Sequence, residues 1–326
     1  MKSSRVQLAL LWAALLVVAV SLLIWSLQGV PFADLGRVLS ALQPRQILLL
    51  LLVNIAILLL FPLRWDRILR AQGYRISYLT LARYRLLGFA VSYFTPGQHF
   101  GGEPVLVLYL KDRQQVPGSA ALASVTLDKV IELFANFAVL ALGLAASLST
   151  GMMARLPLAQ ALPISMALLL LPALYLSAVV GGKRPFGAIS RGFSGRTVKG
   201  IREAERQLGT LARKQPALLW QGLVIAALVW VAQIFEIWFS VRVLGLSLSA
   251  MELTLVVVAG RIALFAPTPG ALGALEGSLI LAMQSLGYGG AYGLSLSFLI
   301  RARDIIFGLV GLLLAGFGDK PALNHR

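Results

Sequence analysis

Thr95-Pro96-Gly97-Gln98-His99-Phe100-Gly101-Gly102-Glu103 and Thr268-Pro269-Gly270-Ala271-Leu272-Gly273-Ala274-Leu275-Glu276 are two readings of one phrase, TPGxxxxxE, set 173 residues apart. Each lies inside apolar sequence. A Pro-Gly break frees backbone groups that hydrocarbon cannot hydrogen-bond, and a carboxylate placed there adds a further cost. A chain that accepts this twice carries an internal repeat, and a repeat sets the architecture before any other feature.

The composition names the solvent. The 326-residue chain is 58% hydrophobic and 13% charged, with a mean hydropathy of +0.83. A soluble domain carries about 25% charged residues, so the chain reads as an all-α polytopic membrane protein, a single integral domain over residues 1–326. It has no cysteine, which removes disulfides and thiol chemistry, and its two histidines, His99 and His325, are too few for a multi-histidine metal site. No metal or cofactor is expected. The net charge of +16 fits cytoplasmic loops facing anionic headgroups, and no nucleic-acid partner is expected.

Six spans are expected, with both termini cytoplasmic in a bacterial-type inner membrane. The first covers about 6–27; this apolar run of 22 residues exceeds the roughly 7–15 of a signal-peptide core. A short stretch, Pro31 to Gln43, is placed on the outer interface. The second span, about 46–63, runs into Arg64, Arg67, Arg70 and Arg75, read as a cytoplasmic marker. Residues 78–110 enter from that side and break at Thr95-Pro96-Gly97. Glu103 to Leu110 spans about 12 Å as helix, too short for a core of about 30 Å. Arg83 and Arg85 flank one end and Lys111 and Arg113 the other, so the segment reads as a re-entrant hairpin. The third span is about 119–148, followed by an outer loop, Ser149 to Gln160, and a fourth span, about 161–182. Residues 183–215 hold nine basic residues against Glu203 and Glu205, a cytoplasmic loop expected to be part amphipathic helix. The fifth span is about 217–243, a second hairpin runs from Met251 to Leu286, and the sixth span is about 291–316.

Each unit is thus span, hairpin, span: about 46–148 and about 217–316. Slid by 173 residues without gaps, Trp65 falls on Trp238, Ser124 on Ser297, and Asp128 on Arg301. The units are expected to run in opposite directions, the inverted-repeat plan of many secondary transporters, with broken helices near the bilayer midplane.

The charges inside apolar sequence are the candidate site. Glu103 and Glu276 each open the returning half of a hairpin, where a carboxylate either only caps free amides or lines the site and carries a proton or binds a cationic group. Asp128, Lys129 and Glu132 lie on the third span, with Asp128 and Glu132 on one face. Arg301, Arg303 and Asp304 lie on the sixth, with Arg301 and Asp304 sharing a face. These eight are read either as a structural ion-pair network or as a substrate site, in which arginine suits phosphate because its fork gives two parallel hydrogen bonds. Pro96, Gly97, Pro269 and Gly270 are the hinge positions. Arg261, Glu236 and Gln233 are weaker candidates, and His99, alone in the first turn, is read as a hydrogen-bonding residue. No catalytic motif is present, neither a P-loop, nor GxSxG, nor HExxH, so no enzyme activity is expected.

The two TPGxxxxxE phrases, with Asp128-Lys129 and Glu132 after the first and Arg301-Ala302-Arg303-Asp304 after the second, make the chain resemble the membrane region of lysylphosphatidylglycerol synthases, the flippase-like family, over roughly residues 8–318. The resemblance implies movement of amphipathic lipids across the cytoplasmic membrane. In the full synthases an aminoacyl-transferase domain follows the membrane region, and here the sequence stops at Arg326. The expected function is a lipid flippase-like transporter for an anionic or amphipathic lipid: a phospholipid, an aminoacyl-phospholipid, or a polyprenyl or glycolipid. The alternatives are a non-transporting partner of a lipid- or glycan-modifying enzyme, docked through 183–215, and an integral enzyme acting on lipid headgroups. Expected partners are membrane lipids and a membrane enzyme or a second copy of the chain.

Overall fold

The computed structural model describes residues 42–95, 101–149, 161–189, 195–266 and 268–315, with Gly36, Val38 and Ser40 ahead of them. The first span, most of the interfacial stretch 31–43, Pro96, Gly97, His99, the outer loop and the C-terminal tail lie outside the described residues. Every described element is helical: α1 Pro44–Ala71, α2 Tyr78–Phe94, α3 Glu103–Arg113, α4 Gly118–Ser149, α5 Ala161–Val180, α6 Pro185–Ile189, α7 Arg196–Lys214, α8 Pro216–Val243, α9 Ala250–Ala263, α10 Ala274–Ser285 and α11 Gly290–Ala315.

Four of these, α1, α4, α5 and α8, are long and apolar enough to cross a membrane. Among the described residues the count is therefore four where the sequence suggests six, and the first expected span is not among those residues. The α11 helix has 26 residues, length enough to cross, but Arg301, Arg303 and Asp304 sit at its middle and lower its apolar character. Lipid-facing surface is plain on the spans: Leu48, Leu52, Leu171, Leu174, Trp220 and Val231 are all exposed, where water would penalise them and lipid does not.

Helix bounds repeat closely. The starts of α8, α9 and α11 each lie 172 residues after those of α1, α2 and α4 (Pro44 and Pro216, Tyr78 and Ala250, Gly118 and Gly290). The local reasons for the boundaries repeat with them. Gly73 and Gly245 follow α1 and α8 with φ of 89° and 84°, the left-handed closure that glycine adopts at least cost. Tyr74 N donates to Leu69 O at 2.9 Å and Leu246 N to Val241 O at 3.1 Å, closing both ends alike. Four residues after each glycine a serine caps the next helix: Ser77 accepts from Thr80 N at 3.2 Å and Ser249 from Glu252 N at 3.3 Å.

The gap-free register of 173 therefore holds only around TPGxxxxxE. Eighteen residues separate Ser77 from Thr95 and nineteen separate Ser249 from Thr268. The excess is returned after the motif, with fifteen residues from Glu103 to Gly118 and fourteen from Glu276 to Gly290. The equivalence of Asp128 with Arg301 is corrected accordingly: Lys129 matches Arg301, and Glu132 matches Asp304.

Packing follows the same division. Trp65, Leu69, Leu81, Tyr84, Leu106, Leu110 and Val125 form a core joining α1 to α4. Trp230, Val241, Leu253, Val256, Leu279, Met283 and Leu296 form another joining α8 to α11. Across the units, α1 lies on α8, α2 on α11, and α4 on α9; exchanging the units turns the second contact into the third. Close approach is built in by glycine. A Cβ on Gly311 would overlap the Leu86 carbonyl of α2, and one on Gly102 would overlap the Gly88 carbonyl, so α11 and the first turn both seat directly on α2 backbone.

Between the units run α5, the short α6 and the basic amphipathic α7. Glu205 is buried and accepts from Phe186 N at 3.0 Å and Gly187 N at 2.9 Å, which caps α6 and fastens it to α7. The part-helical character expected of residues 183–215 is thus present. On the outer side of α7, Arg206 donates through Nε and Nη2 to Glu203 at 2.8 and 2.7 Å.

Candidate functional site

The turn of the second hairpin is the sharpest local feature. Pro269–Ala271 form one turn of 3-10 helix in which Gly270 has φ 57° and Ala271 φ 52°, and Gly273 follows with φ 80°. Ala271 is a non-glycine residue in the left-handed region, a conformation costing about 1–2 kcal/mol. It persists because α11 reaches over it. Arg301 Nη1 donates to Gly270 O at 2.9 Å and Nη2 to Ala271 O at 3.2 Å. The same guanidinium pairs with Glu276, through Nε and, at 2.8 Å, through Nη2. Glu276 in turn accepts from Gly273 N at 2.8 Å, capping α10. Tyr93 of α2 lies against Gly270, and its hydroxyl is 3.4 Å from Arg301 Nη1, so the tip of one hairpin touches the arm of the other.

The first hairpin is built from different partners. Gly102 N donates to Ser92 Oγ at 2.8 Å and Thr95 Oγ1 to Val91 O at 2.7 Å. Glu103 starts α3 and pairs with Lys129 Nζ at 2.8 Å, while Lys129 also holds Glu132 at 3.0 Å. Glu103 Oε2 is buried and has no hydrogen-bond partner among the described residues.

Between the two units lies a cavity of about 270 Å³. Charged and polar side chains line part of it, with Arg64, Arg85, Glu103, Lys129 and Glu132 from the first unit and Gln233, Glu236, Arg261, Arg303 and Asp304 from the second. Apolar walls complete it, with Ile57, Phe61, Phe89, Val229, Trp230, Ile237, Val257, Leu264 and Phe307 among them. The charges are extensively paired. Arg64 Nε donates to Asp128 Oδ1 at 2.6 Å and Nη2 reaches Glu132 at 3.5 Å. Arg85 pairs with the other Asp128 oxygen and lies 5.3 Å from the Trp65 ring centroid. Arg303 bridges Glu236 and, through Nε at 2.8 Å, Asp304, with Asn54 Oδ1 at 3.5 Å from Nη1.

Of the eight candidates, the structure brings Glu103, Lys129, Glu132, Arg303 and Asp304 to one cavity. Arg301, Glu276 and Asp128 stand behind it: the first two latch the second turn and the third holds Arg64 and Arg85. Asp128 and Glu132 share a face, as expected, and Arg64 is what they share. Arg301 and Asp304 part company, one turned to α10 and the other to Arg303. Pro269 and Gly270 form the described turn. The three weaker candidates, Arg261, Glu236 and Gln233, all line the cavity.

Arg64 and Arg85 were missed. Both read in the sequence as markers of a membrane face, yet Arg64 is 3% exposed, whereas Arg67 and Arg70 on the same helix are exposed. The signal was phase: Arg64 sits at i+7 and i+3 from the apolar Ile57 and Phe61 and at i−4 from Ile68, on the buried stripe.

Charged groups among apolar helices of a membrane protein face its interior or a cavity and pair with one another, as these do. The comparisons agree that the chain is a membrane protein. The lysylphosphatidylglycerol synthase transmembrane-region family matches residues 11–311, and the chain belongs to it. The chain is also similar to a UPF0104 membrane protein of Methanothermobacter thermautotrophicus, 26% identical over 270 residues covering 76% of this chain and 78% of that one. A UPF0104 membrane protein of Methanocaldococcus jannaschii is 24% identical over 96 residues, 29% of each chain.

Proposed function

We propose that this protein is a flippase-like transporter that carries the headgroup of an anionic or amphipathic lipid through the cavity between its two units while the tails remain in the bilayer. The observation that carries the reading is the cavity itself: charged at one part, apolar at another, and walled by both repeats. Its volume of about 270 Å³ lies just below the usual range of ligand sites, which starts at about 300 Å³. That suits a headgroup and is too small for a whole diacyl lipid.

The architecture is part of the proposal. Residues 78–113 and 250–285 are two re-entrant hairpins, and α1, α4, α8 and α11 are the spans that flank them. Among the described residues the one span between the units is α5, so the second unit enters the bilayer from the opposite face, which makes the repeat inverted. The exchangeable packing of α2 on α11 and α4 on α9 supports this pairing. The basic segment 183–215 then lies in the cytoplasm, as do both termini, in a bacterial-type inner membrane. Lys129, Glu103, Glu132, Arg303 and Asp304 face the cargo; Arg301 and Glu276 latch the second turn, and Asp128 holds Arg64 and Arg85.

The test is reconstitution. Liposomes carrying the protein and a nitrobenzoxadiazole-labelled phosphatidylglycerol are expected to expose inner-leaflet label to dithionite faster than protein-free liposomes. Rates no faster than those of protein-free liposomes with labelled phosphatidylglycerol, phosphatidylethanolamine and a polyprenyl phosphate would remove the transport reading.

A further inference from the structure

Arg261 differs from the other cations that line the cavity. Arg64, Arg85, Lys129 and Arg303 each pair with a carboxylate. Arg261 forms no ion pair among the described residues. The carboxylates of the second unit that face the cavity, Glu236 and Asp304, are both engaged by Arg303. What Arg261 has is a seat. Its guanidinium carbon lies 4.4 Å from the Trp230 ring centroid, and Nη2 donates to Gln233 Oε1 at 2.8 Å. A guanidinium carries five N–H donors, and this hydrogen bond uses one of them. The indole and the amide fix the plane of the fork without neutralising its charge.

Leaving a guanidinium without a carboxylate between apolar helices is costly, and such groups mark ligand paths. A planar cation with spare parallel donors matches the oxygens of a phosphate better than it matches any single-point acceptor. Trp230 and Gln233 lie on α8 and Arg261 on α9, so the seat belongs to the second unit and faces the first across the cavity.

We propose that Arg261, seated on Trp230 and oriented by Gln233, is the phosphate-binding group of the cavity. The ligand chemistry is a phosphate ester, mono- or diester, at the head of a lipid. This rests on the transport reading above for the identity of the cargo as a lipid, but the binding site stands on its own geometry. Trp230 and Gln233 are positioning residues; Arg261 is the one that touches phosphate.

The experiment uses the full chain in detergent micelles and three probes: dihexanoyl phosphatidylglycerol, dihexanoylglycerol and inorganic phosphate, titrated by calorimetry. Wild-type protein should bind the phospholipid more tightly than the uncharged diacylglycerol. Arg261→Gln should weaken phospholipid binding about 10- to 100-fold, the worth of a charge-assisted hydrogen bond, and leave diacylglycerol binding as it was. Arg261→Lys, which keeps charge but loses the fork, should fall between. If Arg261→Gln fails to fold, Gln233→Leu decides: it frees the fork and should weaken phospholipid binding several-fold. Phospholipid binding unchanged in Arg261→Gln, or in Gln233→Leu where that variant decides, overturns the assignment. Inorganic phosphate binding as tightly as the phospholipid overturns the lipid part. Labelled lipid that moves in liposomes equally with wild type and Arg261→Gln defeats the Arg261 site and spares transport. Arg261-dependent binding with no movement defeats transport and spares the site.

Discussion

Glu276→Ala should unlatch the second hairpin, and its cost follows from the bonds it removes. The carboxylate accepts from Arg301 Nε, from Arg301 Nη2 at 2.8 Å and from Gly273 N at 2.8 Å. Losing the acid partner of a buried guanidinium costs about 3–5 kcal/mol, and losing a cap costs about 0.5–2 kcal/mol. The two losses share one side chain and overlap, so the net is about 4 kcal/mol. Glu276→Gln retains one oxygen and the shape, and should cost about half of that, because hydrogen bonds to charged groups are worth about 1.5–3 kcal/mol. Arg301→Met strips the Gly270 and Ala271 carbonyls as well and should cost about 5 kcal/mol. In the double variant Glu276→Gln plus Arg301→Met the losses should fall short of their sum by about 2 kcal/mol, the signature of a direct pair. Glu103→Ala is the contrast. Among the described residues that carboxylate pairs with Lys129 alone, and Lys129 keeps Glu132, so about 1 kcal/mol is expected. The assay is unfolding in mixed dodecylmaltoside and dodecyl sulfate micelles, followed by tryptophan fluorescence. A Glu276→Ala loss below about 1 kcal/mol, or one no larger than that of Glu103→Ala, would refute the latch.

Two further outcomes test the packing. Gly102→Val drives a Cβ into the Gly88 carbonyl; backbone cannot yield, so the protein should lose about 3 kcal/mol or more or fail to fold, whereas Gly200→Ala, with open space around it on α7, should keep or slightly raise the midpoint of thermal aggregation in detergent. Glu205→Ala orphans the Phe186 and Gly187 amides; α6 should then exchange its amide hydrogens at least tenfold faster by mass spectrometry, with a stability loss of about 1–2 kcal/mol.

The helical elements were largely legible because hydrophobic runs, cap serines and glycine stops are local signals. Expected segments at about 119–148, 161–182 and 217–243 match α4, α5 and α8 within a few residues. The second turn was legible because Pro269 and Gly270 are adjacent, a pair that breaks a helix where the single prolines Pro62 and Pro172 do not. The exact pairing of the units was not, since a gap-free slide cannot hold both a helix start and a motif when one hairpin gains a residue before Thr268 and loses one after Glu276. The roles of the charges were half legible. Sequence gives Arg301 and Arg303 as near neighbours on one helix, but two positions apart is about 200° around it. One therefore turns to α10 and the other to the cavity. Arg64 was hidden by its neighbours, because a cluster of four arginines at a helix end reads as topology until the helical phase of each is taken separately.

The corrected register shows how duplication divides labour between the hairpins. At positions 172 apart, Arg64 and Glu236 each reach the last helix of their own unit, one to Asp128 and Glu132, the other to Arg303. Lys129 and Arg301 each reach the glutamate of their own hairpin. An ion pair needs only opposite signs, so a pairing survives reversal when both ends change together, and the first of these contacts is reversed between the units. The second keeps its sign but changes its donor, and there the geometry of the cation decides the outcome. A guanidinium has enough donors to hold a carboxylate and two turn carbonyls at once, and Arg301 does so. An ammonium has three, and Lys129 holds two carboxylates with them, while Glu103 Oε2 stays without a hydrogen-bond partner among the described residues. The second hairpin is thereby fixed by its own arginine. The first leaves one oxygen of its glutamate outside any such bond and is held instead through Ser92 and Thr95.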